Sequence, residues 1–208
     1  LIKAKGYVWH KSSMTEGVVP HSGIDTDARW GFSHTKGWIF GYKLHLISST
    51  GSIILPFAVD FTTANIPDNQ MYSILTASLP FTMIKRTLYM SADPGYDDHE
   101  LYDLSIDMGF QLVCPVKRYR NTPSDRIKLI EFYKSDIGQT IYSLRSISIE
   151  PLIEHIKSVF RVDPLPVRGY AKASSVVLLS LLLYQILVYY NCKTRKDNPR
   201  AVKYMLGT

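Results

Sequence analysis

The side chains with the most chemical reach fall in three places. The first is Leu88-Tyr89-Met90-Ser91-Ala92-Asp93-Pro94-Gly95-Tyr96-Asp97-Asp98. Small and apolar residues run straight into Asp93. Pro94 then ends any strand because it lacks an N–H, and Gly95 permits a sharp turn. A carboxylate at the C-terminal tip of a buried strand, followed by a turn and a helix, is an α/β active-site geometry, although Asp93 could equally just start a turn. The second place is Lys117-Arg118-Tyr119-Arg120, with Arg126 and Lys128 close behind. A basic run beside an aromatic ring can grip phosphates and stack on a base, and it is also what a solvated loop looks like. The third is Asp25-Thr26-Asp27-Ala28-Arg29, where two acids and an arginine allow a metal or phosphate site or a polar turn. The 6 His residues form no zinc-type spacing, and there is no P-loop or dinucleotide fingerprint, so no nucleotide cofactor is expected.

The elements that must position these groups follow from periodicity. Trp38 to Ile47 alternates, with Trp38, Phe40, Tyr42, Leu44 and Leu46 on one face and Lys43 and His45 on the other, which predicts a half-buried strand. Thr50-Gly51 turns the chain, and Ser52 to Phe61 predicts a second strand completing a hairpin, with Pro56 marking an edge or a bulge. Asp68 begins a short helix with Met71, Ile74, Leu75 and Leu79 inward, stopped by Pro80. The strand carrying Asp93 comes next. A helix from about Asp98 to Met108 follows, with Asp97 or Asp98 as its cap, Leu101, Leu104 and Met108 as its core stripe and Gly109 as its end signal. Gln111 to Val116 reads as a short strand, and residues 125–134 and 148–161 as helices. Pro151 is tolerated only in a first turn, so the second of these starts close to Glu150. Residues 1–37 read as loop-rich, apart from Leu1-Ile2-Lys3-Ala4, the tail of a strand.

Composition narrows the class. The chain has 208 residues, 46% of them hydrophobic, and a net charge of +6, which describes a folded domain with an affinity for anions, nucleic acid foremost. Cys114 and Cys192 form no CxxC motif or disulfide framework, in keeping with a reducing cytoplasm. From Ala173 to Cys192 no residue is charged, and Arg168, Lys172, Lys193, Arg195 and Lys196 flank the stretch. That length could span a bilayer, but Ser174, Ser175, Ser180, Gln185 and Asn191 interrupt it, so a helix buried in a protein core is expected and membrane attachment is the alternative.

Several stretches in order resemble insertion-sequence transposases of the DDE type: Gly41-Tyr42-Lys43-Leu44-His45, Thr63-Ala64-Asn65, Ala92-Asp93-Pro94-Gly95-Tyr96-Asp97, and Tyr142-Ser143-Leu144-Arg145 leading to Ile149-Glu150, with Lys157 and Phe160 beyond. The resemblance runs through essentially the whole chain. It implies an α/β, RNase H-like mixed sheet flanked by helices, with a long buried apolar C-terminal helix. It also implies that Asp93 and Glu150 are the second and third catalytic acids and metal ligands, sharing two Mg²⁺ (or Mn²⁺) ions. Glu150 and Lys157 keep the family's spacing, whereas Tyr142 and Arg145 stand one residue further from Glu150 than in the family. Two such ions would activate water and stabilise the leaving 3′ oxygen of a phosphodiester. Lys157 lies two turns after Glu150, on the same helical face, where an ammonium can hold a phosphate; Glu154 on that face is a competing ligand.

Lys117, Arg118, Arg120, Tyr142, Arg145 and Lys157 are then the expected DNA contacts. The partners implied are insertion-sequence ends and target DNA, with a homodimer on DNA as a further expectation. The family's first acid, in an Asp-Ser-Thr or Asp-Gly-Thr motif, is expected just ahead of Leu1, so that the chain reads as a catalytically incomplete fragment; Asp25 and Asp27 are the alternatives within it. Other readings are a nuclease without strand transfer and a decayed, non-catalytic DNA-binding remnant.

Overall fold

The computed structural model describes residues 1–18, 22–33, 35–194 and 197–206; Arg195 and Lys196, two of the basic flank residues, lie outside these. The chain runs β1 (Ile2–Lys3), α1 (Lys11–Thr15), β2 (Arg29–Ser33), β3 (Gly37–Ser48), β4 (Pro56–Thr63), α2 (Gln70–Ala77), α3 (Phe81–Ile84), β5 (Tyr89–Ser91), α4 (His99–Asp107), β6 (Gln111–Val113), α5 (Ser124–Lys134), α6 (Asp136–Ile147), α7 (Ile149–Ser158) and α8 (Tyr170–Lys193).

β3 is the centre of an antiparallel sheet. Its aromatic and branched residues suit a pleated, packed surface. Gly41 pairs with both Lys3 and Arg29, and Tyr42 with both Ile2 and Thr63, so β1 occupies one edge while β2 and β4 follow one another along the other. A Cβ at Gly41 would collide with the carbonyl of Ile2, so only glycine lets β1 pass this close. The expected hairpin is β3–β4, and its register shifts between Ile47 and Ser48, opposite Pro56. The expected single face is corrected: Trp38 is 57% exposed and His45 is buried, because this sheet is covered on parts of both faces. Most described residues of 1–37 lie outside helices and strands, with α1 and β2 set among them. β5 and β6 pair in parallel as a second, two-stranded sheet. Antiparallel and parallel strands are thus both present, as two sheets.

α4 is capped by Asp98, whose carboxylate accepts from the Glu100 N–H at 3.2 Å. In α2, Met71 and Leu75 are buried as expected, but Ile74 is exposed. α6 was not anticipated. Its apolar residues Ile137, Ile141, Leu144 and Ile147 do recur at helical spacing, but Ile137 and Ile147 are exposed. The helix packs instead through Gly138, where a Cβ would strike the Phe132 carbonyl.

The largest core joins Ile2, Tyr42 and Phe61 of the antiparallel sheet to Leu152 and Ile156 of α7 and Val177, Leu181, Tyr184 and Val188 of α8. α8 is fastened to the loop before β4 and to its first residue: the Tyr184 hydroxyl donates to the Ile54 carbonyl at 3.1 Å and Gln185 Nε2 to the Pro56 carbonyl at 2.7 Å. The expectation of a wholly buried helix is corrected. One face lies in the core, while Leu179, Leu182, Ile186 and Tyr189 face outward, because the core covers only one side of the helix. By length and composition α8 is also long and apolar enough to cross a membrane. Neighbouring residues separate the two faces. Leu181→Ala is expected to lower the unfolding free energy by about 2–5 kcal/mol, and Leu182→Ala by less than about 0.5 kcal/mol. Equal losses in urea unfolding would contradict this division.

Candidate functional site

The parallel pair β5 and β6 ends at Ser91 and Val113, side by side, and both chains emerge at the same edge. That edge, beyond the carboxyl ends of parallel strands, is where α/β folds place ligands. Asp93 emerges there in extended conformation, and Pro94 opens a short 3₁₀ turn to Tyr96. The Asp93 side chain is 61% exposed. Tyr96 packs behind it. Burial pushes the Tyr96 phenol well above its ordinary value, and the Asp68 and Asp93 carboxylates push it further.

Asp97, four residues on, is buried. It accepts from the Lys117 N–H at 2.9 Å, from Arg126 Nη2 at 2.5 Å and from the Tyr102 hydroxyl at 3.3 Å. The Arg126 Nε donates to the Lys117 carbonyl at 3.1 Å. This knot fixes the start of the basic loop beside the turn that carries Asp93. Lys117, Arg118 and Arg120 are exposed on that loop. Arg126 is not: its side chain is 7% exposed and spent on Asp97, which corrects its reading as a phosphate contact. Tyr102 also bonds the Cys114 thiol at 2.9 Å, and burial raises that thiol to about 11, so Cys114 is an inert core residue.

Glu150 comes from the other side, in the first turn of α7, which begins where Pro151 requires. Its side chain is 58% exposed. Arg145, near the end of α6, joins the two acids: its Nη2 bonds Asp93 Oδ1 and stands 3.9 Å from Glu150 Oε1. Arg145 Nη1 donates to the Tyr142 hydroxyl at 3.0 Å, and its guanidinium lies 5.2 Å from the centre of that ring. Tyr142 and Arg145, expected as DNA contacts, are therefore engaged with each other, and Arg145 also with both acids.

Lys157 is half-buried on α7. Burial lowers its ammonium below the ordinary lysine value, and the Asp163 carboxylate opposes that shift. Glu154 is exposed one turn before it. Asp25 and Asp27 are not part of this cluster. Asp25 is buried, accepting from the Tyr42 hydroxyl at 3.0 Å and the Gly169 N–H at 3.0 Å, and Asp27 accepts from the Tyr170 N–H at 2.8 Å. The two acids anchor the N-terminus of α8, where donors lack helical partners.

Among the described residues no group of three or more His, Cys, Asp and Glu side chains is placed to hold a metal ion. Asp93 and Glu150 nonetheless suit one: they are open, hard oxygen donors drawn to a shared cation, here the guanidinium of Arg145. The sequence did not single out the ties at Asp97 and Asp68. Asp68 stands 3.2 Å from Lys43 Nζ and 3.5 Å from His45 Nδ1. His45 is held below its ordinary value, by burial above all, despite that carboxylate.

A family model described as a transposase DDE domain matches residues 10–186. No curated protein and no solved structure matches the chain.

Proposed function

We propose, from the premise that this chain belongs to the transposase DDE-domain family, that it takes part in DNA transposition through metal-dependent strand cleavage and transfer centred on Asp93 and Glu150. The observation that carries this reading is the pairing of Asp93, from a strand tip, and Glu150, from a separate helix, with one guanidinium. Divalent ions bound there would activate the attacking oxygen and stabilise the leaving one. Asp93 and Glu150 hold them; Lys157, on the helix of Glu150, and Lys117, Arg118 and Arg120, on the loop fixed by Asp97, hold the phosphates on either side. Tyr142 orients Arg145. The family's first acid is proposed to lie ahead of Leu1, since Asp25 and Asp27 are committed to α8, and completion of a single RNase H-like sheet around β1 belongs to the same reading. Cytoplasmic location and a homodimer on DNA follow from the function rather than from any contact within the chain. Non-catalytic DNA binding by residues 1–208 is the second reading, favoured because only two acids converge among the described residues.

The test compares residues 1–208 with a form extended upstream by an Asp-Ser-Thr or Asp-Gly-Thr motif. Both are expected to bind duplex DNA with little sequence preference, the affinity falling with salt by a slope of about −0.9 per phosphate contact. Only the extended form should nick element-end DNA with Mn²⁺. Nicking by residues 1–208 would move the first acid inside them. Failure of both forms to bind DNA at low salt would remove the functional reading.

A further inference from the structure

Arg145 stands at the point where the two acids meet. Its side chain is 14% exposed, while those of Asp93 and Glu150 are 61% and 58% exposed. The cation is thus the sheltered partner and the carboxylates the open ones. Tyr142 supports it twice, through its hydroxyl and through its ring. A guanidinium and a divalent ion that need the same carboxylate oxygens cannot both have them.

We propose that Arg145 is a built-in competitor of the metal ion and a positioning residue for the two acids. Without metal, the guanidinium screens Asp93 from Glu150 and keeps them together, as two neighbouring like charges otherwise repel. Metal binding takes the carboxylates and releases the guanidinium. The released group is a planar fork of donors beside the two open carboxylates, suited to a phosphate of the DNA backbone. Metal and DNA therefore bind cooperatively through Arg145, and the coupling is reciprocal: each ligand raises the affinity for the other by the same factor. This inference rests on the metal-dependent reading above and adds to it an order of events: the guanidinium holds the site until metal arrives, and DNA receives it.

The test is Mn²⁺ binding without DNA, followed by the electron paramagnetic resonance signal of free Mn²⁺ at constant ionic strength. The proteins are wild type, Arg145→Gln, Arg145→Lys and Lys134→Gln, each checked for an unchanged melting profile. Arg145→Gln is expected to bind Mn²⁺ about tenfold more tightly than wild type, within the usual range of coupling between sites. Arg145→Lys, which keeps the charge but loses the fork, should show a smaller gain. Lys134→Gln removes an exposed cation at the end of α5 that has no assigned part in the site, and should change affinity by less than about threefold, as expected of a screened, through-space effect. In parallel, Ca²⁺ should tighten DNA binding by wild type, and most of that gain should vanish in Arg145→Gln.

Equal or weaker Mn²⁺ binding by Arg145→Gln would overturn the competition while leaving the metal site intact. Equal tightening by Arg145→Gln and Lys134→Gln would overturn it too, by reducing the effect to general charge. No Mn²⁺ binding by any of the four proteins would overturn the metal-dependent reading and this inference together. Binding by Arg145→Gln alone would support both. Should Arg145→Gln fail to fold, the ¹⁵Nε resonance of Arg145 in the wild type decides: it should shift on Ca²⁺ addition, and an unmoved resonance with Ca²⁺ bound would overturn the release.

Discussion

Asp93→Ala and Glu150→Ala are each expected to reduce Mg²⁺-dependent cleavage by a cleavage-competent form of the chain more than about a hundredfold. Loss of a group that merely orients a ligand typically costs about 10–100-fold, and loss of a ligand itself exceeds that. DNA affinity should not fall, because the cations at Lys117, Arg118, Arg120 and Lys157 are untouched, and without metal Asp93→Ala should tighten binding by freeing Arg145. The two variants should also behave differently without metal. In Glu150→Ala the Arg145 guanidinium keeps its bond to Asp93; in Asp93→Ala the one acid left to it is Glu150, at the longer 3.9 Å approach. A nicking assay on element-end DNA, run beside a binding titration, reads both effects. Near wild-type cleavage by either variant would remove that carboxylate from the site. A parallel collapse of DNA binding would show that the substitution had unfolded the edge at which Asp93 sits.

Arg126→Met is expected to destabilise the fold by about 3–5 kcal/mol, the range found when one partner of a buried ion pair is removed. The reason is Asp97. Its side chain is 1% exposed, and without Arg126 its charge has only the Lys117 N–H and the Tyr102 hydroxyl for support. Adding Asp97→Asn should recover part of the loss, because a neutral amide is cheaper to leave in that environment than a carboxylate. Urea unfolding of the two single variants and the double variant measures the coupling. Additive effects would mean that the pair does not act as a unit. The same substitution should also loosen the Lys117 loop, so DNA affinity should fall although the Arg126 side chain is buried against Asp97. Were Arg126 a phosphate contact, DNA affinity and its salt slope would drop with no loss of stability.

Much of the chemistry was legible in local order. The run into Asp93, the stop at Pro94, the cap at Asp98 and the start of α7 at Pro151 each depend on neighbours within a few residues, and such neighbours fix backbone geometry wherever the chain folds. The β3–β4 hairpin was legible for the same reason, and its irregularity at Pro56 followed from a missing N–H. The family was legible because several short motifs occur in the right order, and it matches residues 10–186.

The rest depended on partners distant in sequence. Arg126 and Arg145 look alike in a list of cations, yet one is buried against Asp97 and the other lies between Asp93 and Glu150. Asp25 and Asp27 have the composition of a metal site, but α8 supplies the N–H groups that use them. α8 itself is apolar all round, so no periodicity in it distinguishes the face toward Tyr42 and Phe61 from the face carrying Leu182 and Ile186. Side-chain type states what a residue can do. Which charge meets which, and which apolar face is covered, is decided only when elements far apart in the chain pack together, since desolvation and Coulomb energy depend on distance in space and not on separation along the sequence.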